Sequence, residues 1–330
     1  MQKIKLGRTG LDISELAFGG GVTGGILIEA DEATRVNALR RAVVAGINWI
    51  DTAPVYGNGA SEETIGRHLD ALTPRPHVST KVRLEAEDLA DIPGAIERSL
   101  SQSLERLRSE RIALLQLHNH LGHSVGGRVA LSPEQVLGRG GVADSFDRLK
   151  AQGLIHAAGM TAAGDTQTCL DVIDSGRFDT AQVYYNVINP SAAWRRAPEG
   201  WTGGQNFCGI VTACFEQHMG VLNIRVLAGG VLANEAPPER LFVMTTDTDL
   251  ANEVRCGAAV RATLGSVHGT PAQAALRFVL RNRDFASRVI GFSSIAQLDE
   301  ALAAVADGPL PPAAIARLRA LWASEFKPPE

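Results

Sequence analysis

Short apolar runs and amphipathic stretches alternate along this chain almost from end to end. Strand-like runs fall near 14–18, 47–51, 77–81, 112–117, 155–160, 179–184, 221–227 and 287–291. Helical periodicity falls near 31–45, 61–71, 91–108, 132–152, 166–175, 205–218, 250–264 and 270–283, then 295–305 and 312–324. Eight strand–helix alternations without a long polar linker predict one α/β unit over residues 1–330, and an eight-stranded barrel accounts for the count. Several helix starts carry their own chemistry. Ser132-Pro133-Glu134-Gln135 and Thr270-Pro271-Ala272-Gln273 each offer a capping hydroxyl, a proline at the first helical position and a glutamine that reaches back. Ser61-Glu62-Glu63 sets acids at the positive end of a helix dipole. Ahead of the alternation, Lys3-Ile4-Lys5-Leu6 and Ile13-Ser14-Glu15-Leu16 flank Gly7-Arg8-Thr9-Gly10, a β-hairpin expected to act as a small lid.

Four connections are long, 19–30, 119–131, 188–204 and 228–249, and all four follow strands. In a barrel they lie on the C-terminal face, where such folds build their sites. The connection after His118 is rich in Gly and His. The one over 188–204 carries Trp194 and Trp201, which either wall a pocket or pack the loop down.

Polar residues at the strand ends then stand out. Asp51 closes the run from Ile47, Tyr56 follows five residues on, Lys81 closes the run from His77, and His118 closes the run from Ile112. Parallel neighbouring strands would gather an acid, a phenol, an amine and an imidazole around one opening. A phenol alone is a poor acid near neutrality, with a pKa of about 10. A lysine ammonium beside it favours the phenolate and makes it a better proton donor, and a carboxylate holds that lysine charged. An imidazole can donate to a substrate oxygen where charge develops. Singly, each has a bland reading: a structural Asp, a solvated Lys, a hydrogen-bonded His, a tyrosine that anchors a loop. Their combination at three successive strand ends points to proton transfer at a carbonyl or alcohol oxygen.

Composition narrows the setting. A net charge of −4 gives no basic excess for nucleic acid or an acidic membrane surface, and no apolar run is long enough to cross a bilayer. The N-terminus lacks the apolar core of a signal peptide, and the four cysteines lack CxxC spacing, so a cytoplasmic protein with reduced thiols is expected. Three other readings compete with this one. Gly19-Gly20-Gly21-Val22-Thr23-Gly24 fits a dinucleotide fingerprint, but Gly25 follows and helical periodicity resumes only near Asp31, so the glycines are read as letting a loop approach a ligand closely. His118-Asn119-His120 resembles a metal pair of a barrel hydrolase, without a convincing set of further ligands, and no metal is assigned. A non-catalytic nucleotide-binding regulatory subunit would not need Tyr56 and Lys81 together.

The stretch from Asn48 to Gly57, with Asp51-Thr52-Ala53-Pro54-Val55-Tyr56-Gly57 inside it, together with Ser79-Thr80-Lys81-Val82 and Leu115-Gln116-Leu117-His118, resembles the aldo-keto reductase superfamily. The likeness runs from Leu6 to near residue 305. It implies a (β/α)8 TIM barrel, with the hairpin before it, that binds a nicotinamide cofactor across its C-terminal mouth. Tyr56 becomes the general acid or base, Lys81 and Asp51 tune it, and His118 with Asn119 meets a small carbonyl or sugar-like substrate. The implied cofactor contacts are Gly20, Asp51, Thr161, Gln182, Ile224, Arg225, Leu227, Gly229, Gly291, Ser293, Ser294 and Gln297. Ala162 departs from the usual amide partner beside Thr161, and Ile224 from the usual stacking aromatic. Family members that prefer the phosphorylated cofactor usually carry an Arg at the position of Gln297. Because 291–304 has no Lys or Arg, NAD(H) is favoured over NADP(H), with Arg225 and Arg288 as the cations able to reverse that.

Overall fold

A computed structural model describes residues 1–124, 126–199, 201, 203–234, 245 and 248–327. It opens with an antiparallel hairpin of β1 (Lys3–Lys5) and β2 (Asp12–Ser14). Next come β3 (Leu16–Gly19), α1 (Ile26–Glu29), α2 (Glu32–Val44), β4 (Trp49–Asp51), α3 (Ala60–His68), β5 (His77–Val82), α4 (Ile92–Leu107) and β6 (Ile112–Leu117). Two short strands, β7 (His120–Leu121) and β8 (Ala130–Leu131), precede α5 (Pro133–Leu137), α6 (Val142–Ala151), β9 (Ile155–Ala162), α7 (Thr166–Asp174) and β10 (Thr180–Tyr184). The chain finishes with α8 (Ile210–Glu216), β11 (Gly220–Ile224), α9 (Leu250–Leu264), α10 (Pro271–Leu280), β12 (Ser287–Gly291), α11 (Ile295–Asp307) and α12 (Pro312–Ala323).

All eight predicted strands pair in parallel and close in the order β10-β11-β12-β3-β4-β5-β6-β9. The large apolar cluster lies between strands and helices. A second cluster of Leu6, Ile13, Ala17, Trp49, Leu114, Ala157, Leu222 and Ala286 fills the lower barrel interior. Side chains two residues apart on a strand share a face, so Asp51 follows Trp49 and Gln116 follows Leu114 into the same interior. The barrel is therefore apolar towards its N-terminal mouth and polar towards its C-terminal mouth.

The hairpin is not a lid over the site. Leu6 and Ile13 are fully buried in the lower cluster, so the hairpin plugs the N-terminal mouth. Gly7 (φ +50°) lies so close to Gly220 that a Cβ there would come within 2.1 Å of its backbone nitrogen. Arg8 fastens the plug, donating to Asp179 Oδ1 at 3.1 Å and to the carbonyls of Gly176, Phe178 and Gln217.

Two helical expectations also change. The stretch 132–152 breaks between α5 and α6, where Gly140 takes a left-handed conformation. The stretch 205–218 shortens to α8, because Gln205 and Phe207 are tied to the preceding loop and Gly209 (φ +90°) starts the helix. Glu62 and Glu63 fall in the first turn of α3 as expected, and Glu62 is in addition fully buried, accepting from Thr80 Oγ1 at 2.5 Å and Arg106 Nε at 2.7 Å. The capping boxes at Ser132 and Thr270 form as expected.

Of the long connections, 188–204 is packed down. Trp194 meets Trp201 at 5.1 Å and Trp322 at 5.7 Å between ring centres, and Trp201 meets Phe326 at 6.3 Å. Most of 228–249 lies outside the described residues. Among the described residues no helix is long and apolar enough to cross a membrane.

Candidate active site

At the end of β4 the Asp51 carboxylate collects four donors. Its Oδ1 accepts from Ser79 Oγ (2.7 Å), Gln116 Nε2 (3.0 Å) and Gln182 Nε2 (2.8 Å), and its Oδ2 accepts from Lys81 Nζ (2.6 Å). Lys81 Nζ also donates to the Thr52 carbonyl at 2.8 Å. The ion pair is sealed in, with side-chain exposures of 1% for Lys81 and 5% for Asp51. Burial works against the Lys81 ammonium, but Asp51 and then Tyr56 outweigh it, and the lysine pKa is raised.

Tyr56 and His118 sit above this pair and are partly open to the mouth. Lys81 Nζ lies 4.9 Å from the centre of the tyrosine ring. The His118 ring meets Tyr56 edge to face, with centres 5.9 Å apart. The structure thus joins Asp51, Tyr56, Lys81 and His118 around one opening. The expected direction of the tyrosine shift is reversed. Lys81 does pull the phenol down, but burial of its polar end is the larger effect, so its pKa is raised and the proton stays on. Burial first, then Lys81, Arg83 and Arg128, hold His118 well below its ordinary 6.5, so the imidazole is neutral near neutrality. Acidification should therefore cost stability below about pH 6.5, where the unfolded chain's imidazole binds a proton that the folded one refuses. The melting temperature of the wild type should fall more steeply than that of His118→Gln between neutrality and the folded pKa. Parallel slopes would overturn this.

Two residues expected to contact ligands also bond within the protein. Asn119 is 1% exposed, and its side chain accepts from the Leu84 N–H (2.8 Å) and donates to the carbonyls of Leu84 (2.8 Å) and Val129 (3.1 Å). With its amide committed to backbone, it positions the loop after β6. Gln182 has one amide N–H on Asp51, which orients the side chain and leaves the second N–H of the same nitrogen for a carboxamide. Ser79 and Gln116 went unassigned in the sequence, although each lies two residues before an assigned one and so shares its face.

Other residues expected to meet the cofactor line the same mouth. Thr161 stands beside Gln182 in the β9–β10 register, and its Oγ1 is a buried hydroxyl without a hydrogen-bond partner among the described residues. His118 Nδ1 and Arg225 Nε are buried in the same condition. Ile224 ends β11 partly exposed, with Arg225, Leu227 and Gly229 following it at the rim. Gly20 serves packing: a Cβ there would meet Ser61 Oγ at 2.5 Å. Gly24 rests on the Gly291–Phe292 backbone, which brings the β3 loop against the start of the 291–297 segment. Ser294 caps α11, and Gln297 Oε1 accepts from the Ser293 N–H at 2.8 Å. Arg288 does not join these residues. It is fully buried, its guanidinium donating to the carbonyls of Val279 and Asn282. Among the described residues no group of three His, Cys, Asp or Glu is arranged to hold a metal.

Fold and site together define a (β/α)8 barrel enzyme with its chemistry at the C-terminal mouth. The chain belongs to the Aldo/keto reductase family, whose model matches residues 15–323, and it is an NAD(P)-dependent oxidoreductase of that family. L-galactose dehydrogenase of Arabidopsis thaliana is 28% identical, the match covering 93% of this chain and 90% of the relative. Among solved structures, the fold resembles an aldo-keto reductase from Bacillus halodurans in its holo form, with a TM-score of 0.71, 22% identity and coverage of 97% and 96% of the two chains. An aldo-keto reductase from Klebsiella pneumoniae in complex with NADPH gives a TM-score of 0.69 at 19% identity, over 100% of this chain and 96% of the other.

Proposed function

We propose that this enzyme interconverts a carbonyl and an alcohol on a small, polar or sugar-like substrate, with Tyr56 as general acid or base. The observation that carries this is the phenol set between the Lys81 ammonium and the His118 ring, above a sealed Asp51–Lys81 pair. A bound nicotinamide supplies or accepts the hydride. In the reducing direction Tyr56 hands its proton to the carbonyl oxygen. Lys81, kept charged by Asp51, stabilises the phenolate that remains. A neutral His118 donates a hydrogen bond to the same oxygen and orients it. In the oxidising direction these roles reverse, and Tyr56 takes the alcohol proton through Lys81-stabilised phenolate. The test is a panel of aldehydes, ketones and sugars, read by the ultraviolet absorbance of the reduced nicotinamide. Sugars are included because the similar plant enzyme is named for one. No turnover of any carbonyl or alcohol with either cofactor would overturn the reading.

For the cofactor, the unbonded Thr161 hydroxyl fits a carboxamide, Ile224 offers an aliphatic face to the nicotinamide ring, and the start of α11 suits a pyrophosphate. We read the adenosine end as favouring NAD(H). Gln297 stands where a basic side chain would be needed, Arg288 is turned away, and Asp299 is paired with Arg41. The NADPH in the Klebsiella structure is evidence about that protein, at an identity where the likeness carries the fold alone. The expected result is a higher kcat/KM with NAD(H) than with NADP(H). A preference of about tenfold for NADP(H), near 1.4 kcal/mol, would overturn it.

A further inference from the structure

The loop after β6 returns to the site on a backbone held at several points. β7 and β8 pair His120 with Ala130 and Leu121 with Leu131. The Gly122 N–H donates to the Leu131 carbonyl at 2.9 Å, and Ser124 Oγ donates to the Arg128 carbonyl at 2.6 Å. The Asn119 side chain then ties this loop, at Val129, to the end of β5, at Leu84. Each clamped residue directly follows an arginine, so one buried amide fixes the backbone of Arg83 and Arg128 together at the rim beside His118.

These two cations are not equivalent. Arg83 is committed to Glu85, its Nε donating to Oε1 at 2.9 Å. Arg128 is half-buried and makes no ion pair among the described residues. Around it the reacting groups carry no balancing charge: the phenol keeps its proton, the imidazole is neutral, and the Lys81 ammonium is matched by Asp51. The His118 N–H donates to the Val82 carbonyl at 2.8 Å, next to Arg83, and Asn119, which follows His118, holds Val129 next to Arg128, so both arginines start from backbone beside the reacting centre.

We infer that Arg128, with Arg83 beside it, forms an anion subsite at the mouth, and that the preferred substrates carry a carboxylate as well as the reacting carbonyl. The class is a semialdehyde acid or a uronate-like sugar. One uncompensated guanidinium matches a single carboxylate, and its planar fork accepts one with two parallel hydrogen bonds. The inference rests on the carbonyl–alcohol reading above and deepens it. Asn119 enters as a positioning residue that acts through the two arginines.

The test compares succinate semialdehyde with butanal, and D-glucuronate with D-glucose, in the wild type and in Arg128→Gln. The wild type should favour the charged member of each pair by about tenfold or more in kcat/KM, the order expected of a charge-assisted hydrogen bond. Arg128→Gln should collapse that ratio, chiefly through KM of the charged member. A wild type that favours the neutral member, or a ratio unchanged by the substitution, would overturn the subsite. If neither member of any pair is turned over, the carbonyl reading fails instead. Calorimetric titration with D-glucuronate then still decides the subsite: about tenfold weaker binding in Arg128→Gln supports it, and absent or unchanged binding overturns it.

Discussion

Tyr56→Phe is expected to lower kcat/KM for carbonyl reduction by about a thousandfold, within the range of general acid catalysis. The substitution removes one oxygen and keeps the ring. The face towards Lys81 and the edge contact with His118 survive, so the fold, its melting temperature and the affinity for cofactor should stay close to wild type. What disappears is the proton donor. The loss should appear in kcat, because the interaction matters chiefly once charge develops on the carbonyl oxygen. Steady-state kinetics with any substrate from the carbonyl panel, beside a fluorescence titration of cofactor, separates the two effects. A kcat near wild type would remove Tyr56 from the mechanism, and lost cofactor binding would make its role structural.

Lys81→Met should be the most damaging single change to stability at the site. It leaves the Asp51 carboxylate buried without its cation, and breaking a buried pair from one side typically costs about 3–5 kcal/mol. Three other donors, Ser79, Gln116 and Gln182, stay on Oδ1 and place the expectation at about 3 kcal/mol, the lower end of that range. Urea unfolding measures it, and activity should be lost as well. The double variant Asp51→Asn/Lys81→Met should be more stable than Lys81→Met alone, because the stranded charge is gone. Equal stability of the two variants would show that an unpaired carboxylate is not the source of the loss.

The fold was legible because a parallel barrel writes itself as buried runs alternating with amphipathic helices. The strand near 155–160, for example, becomes Ile155–Ala162, nearly the predicted span. The four central residues were legible for the same reason: each ends, or closely follows, a run whose strand is well marked. The rest needed three dimensions. A hairpin pattern around Gly7-Arg8-Thr9-Gly10 does not say which mouth it covers, and only the burial of Leu6 and Ile13 shows that it seals the lower one. An asparagine bonded to three backbone atoms reads the same in sequence as one aimed at a substrate, so the loop-holding bonds of Asn119 were not legible. Gln182 lies 131 residues from Asp51 along the chain, and nothing local announces their bond. The direction of the Tyr56 shift depended on how far burial outweighs a neighbouring charge, a balance that residue identity does not contain.

The pairing of β12 with β3 also bears on how this protein is made. Arg288 lies opposite Leu16 and Gly291 opposite Gly19, so the last barrel strand closes on the first. Such a contact, among the most distant in sequence that a chain can make, is slow to form because the intervening loop must close before the pairing rewards it. A ribosome releasing this chain would expose both strand edges until residues 287–291 emerged. A product cut short before Ser287 would leave β3 and β11 without their shared neighbour, two open edges prone to pairing with other chains.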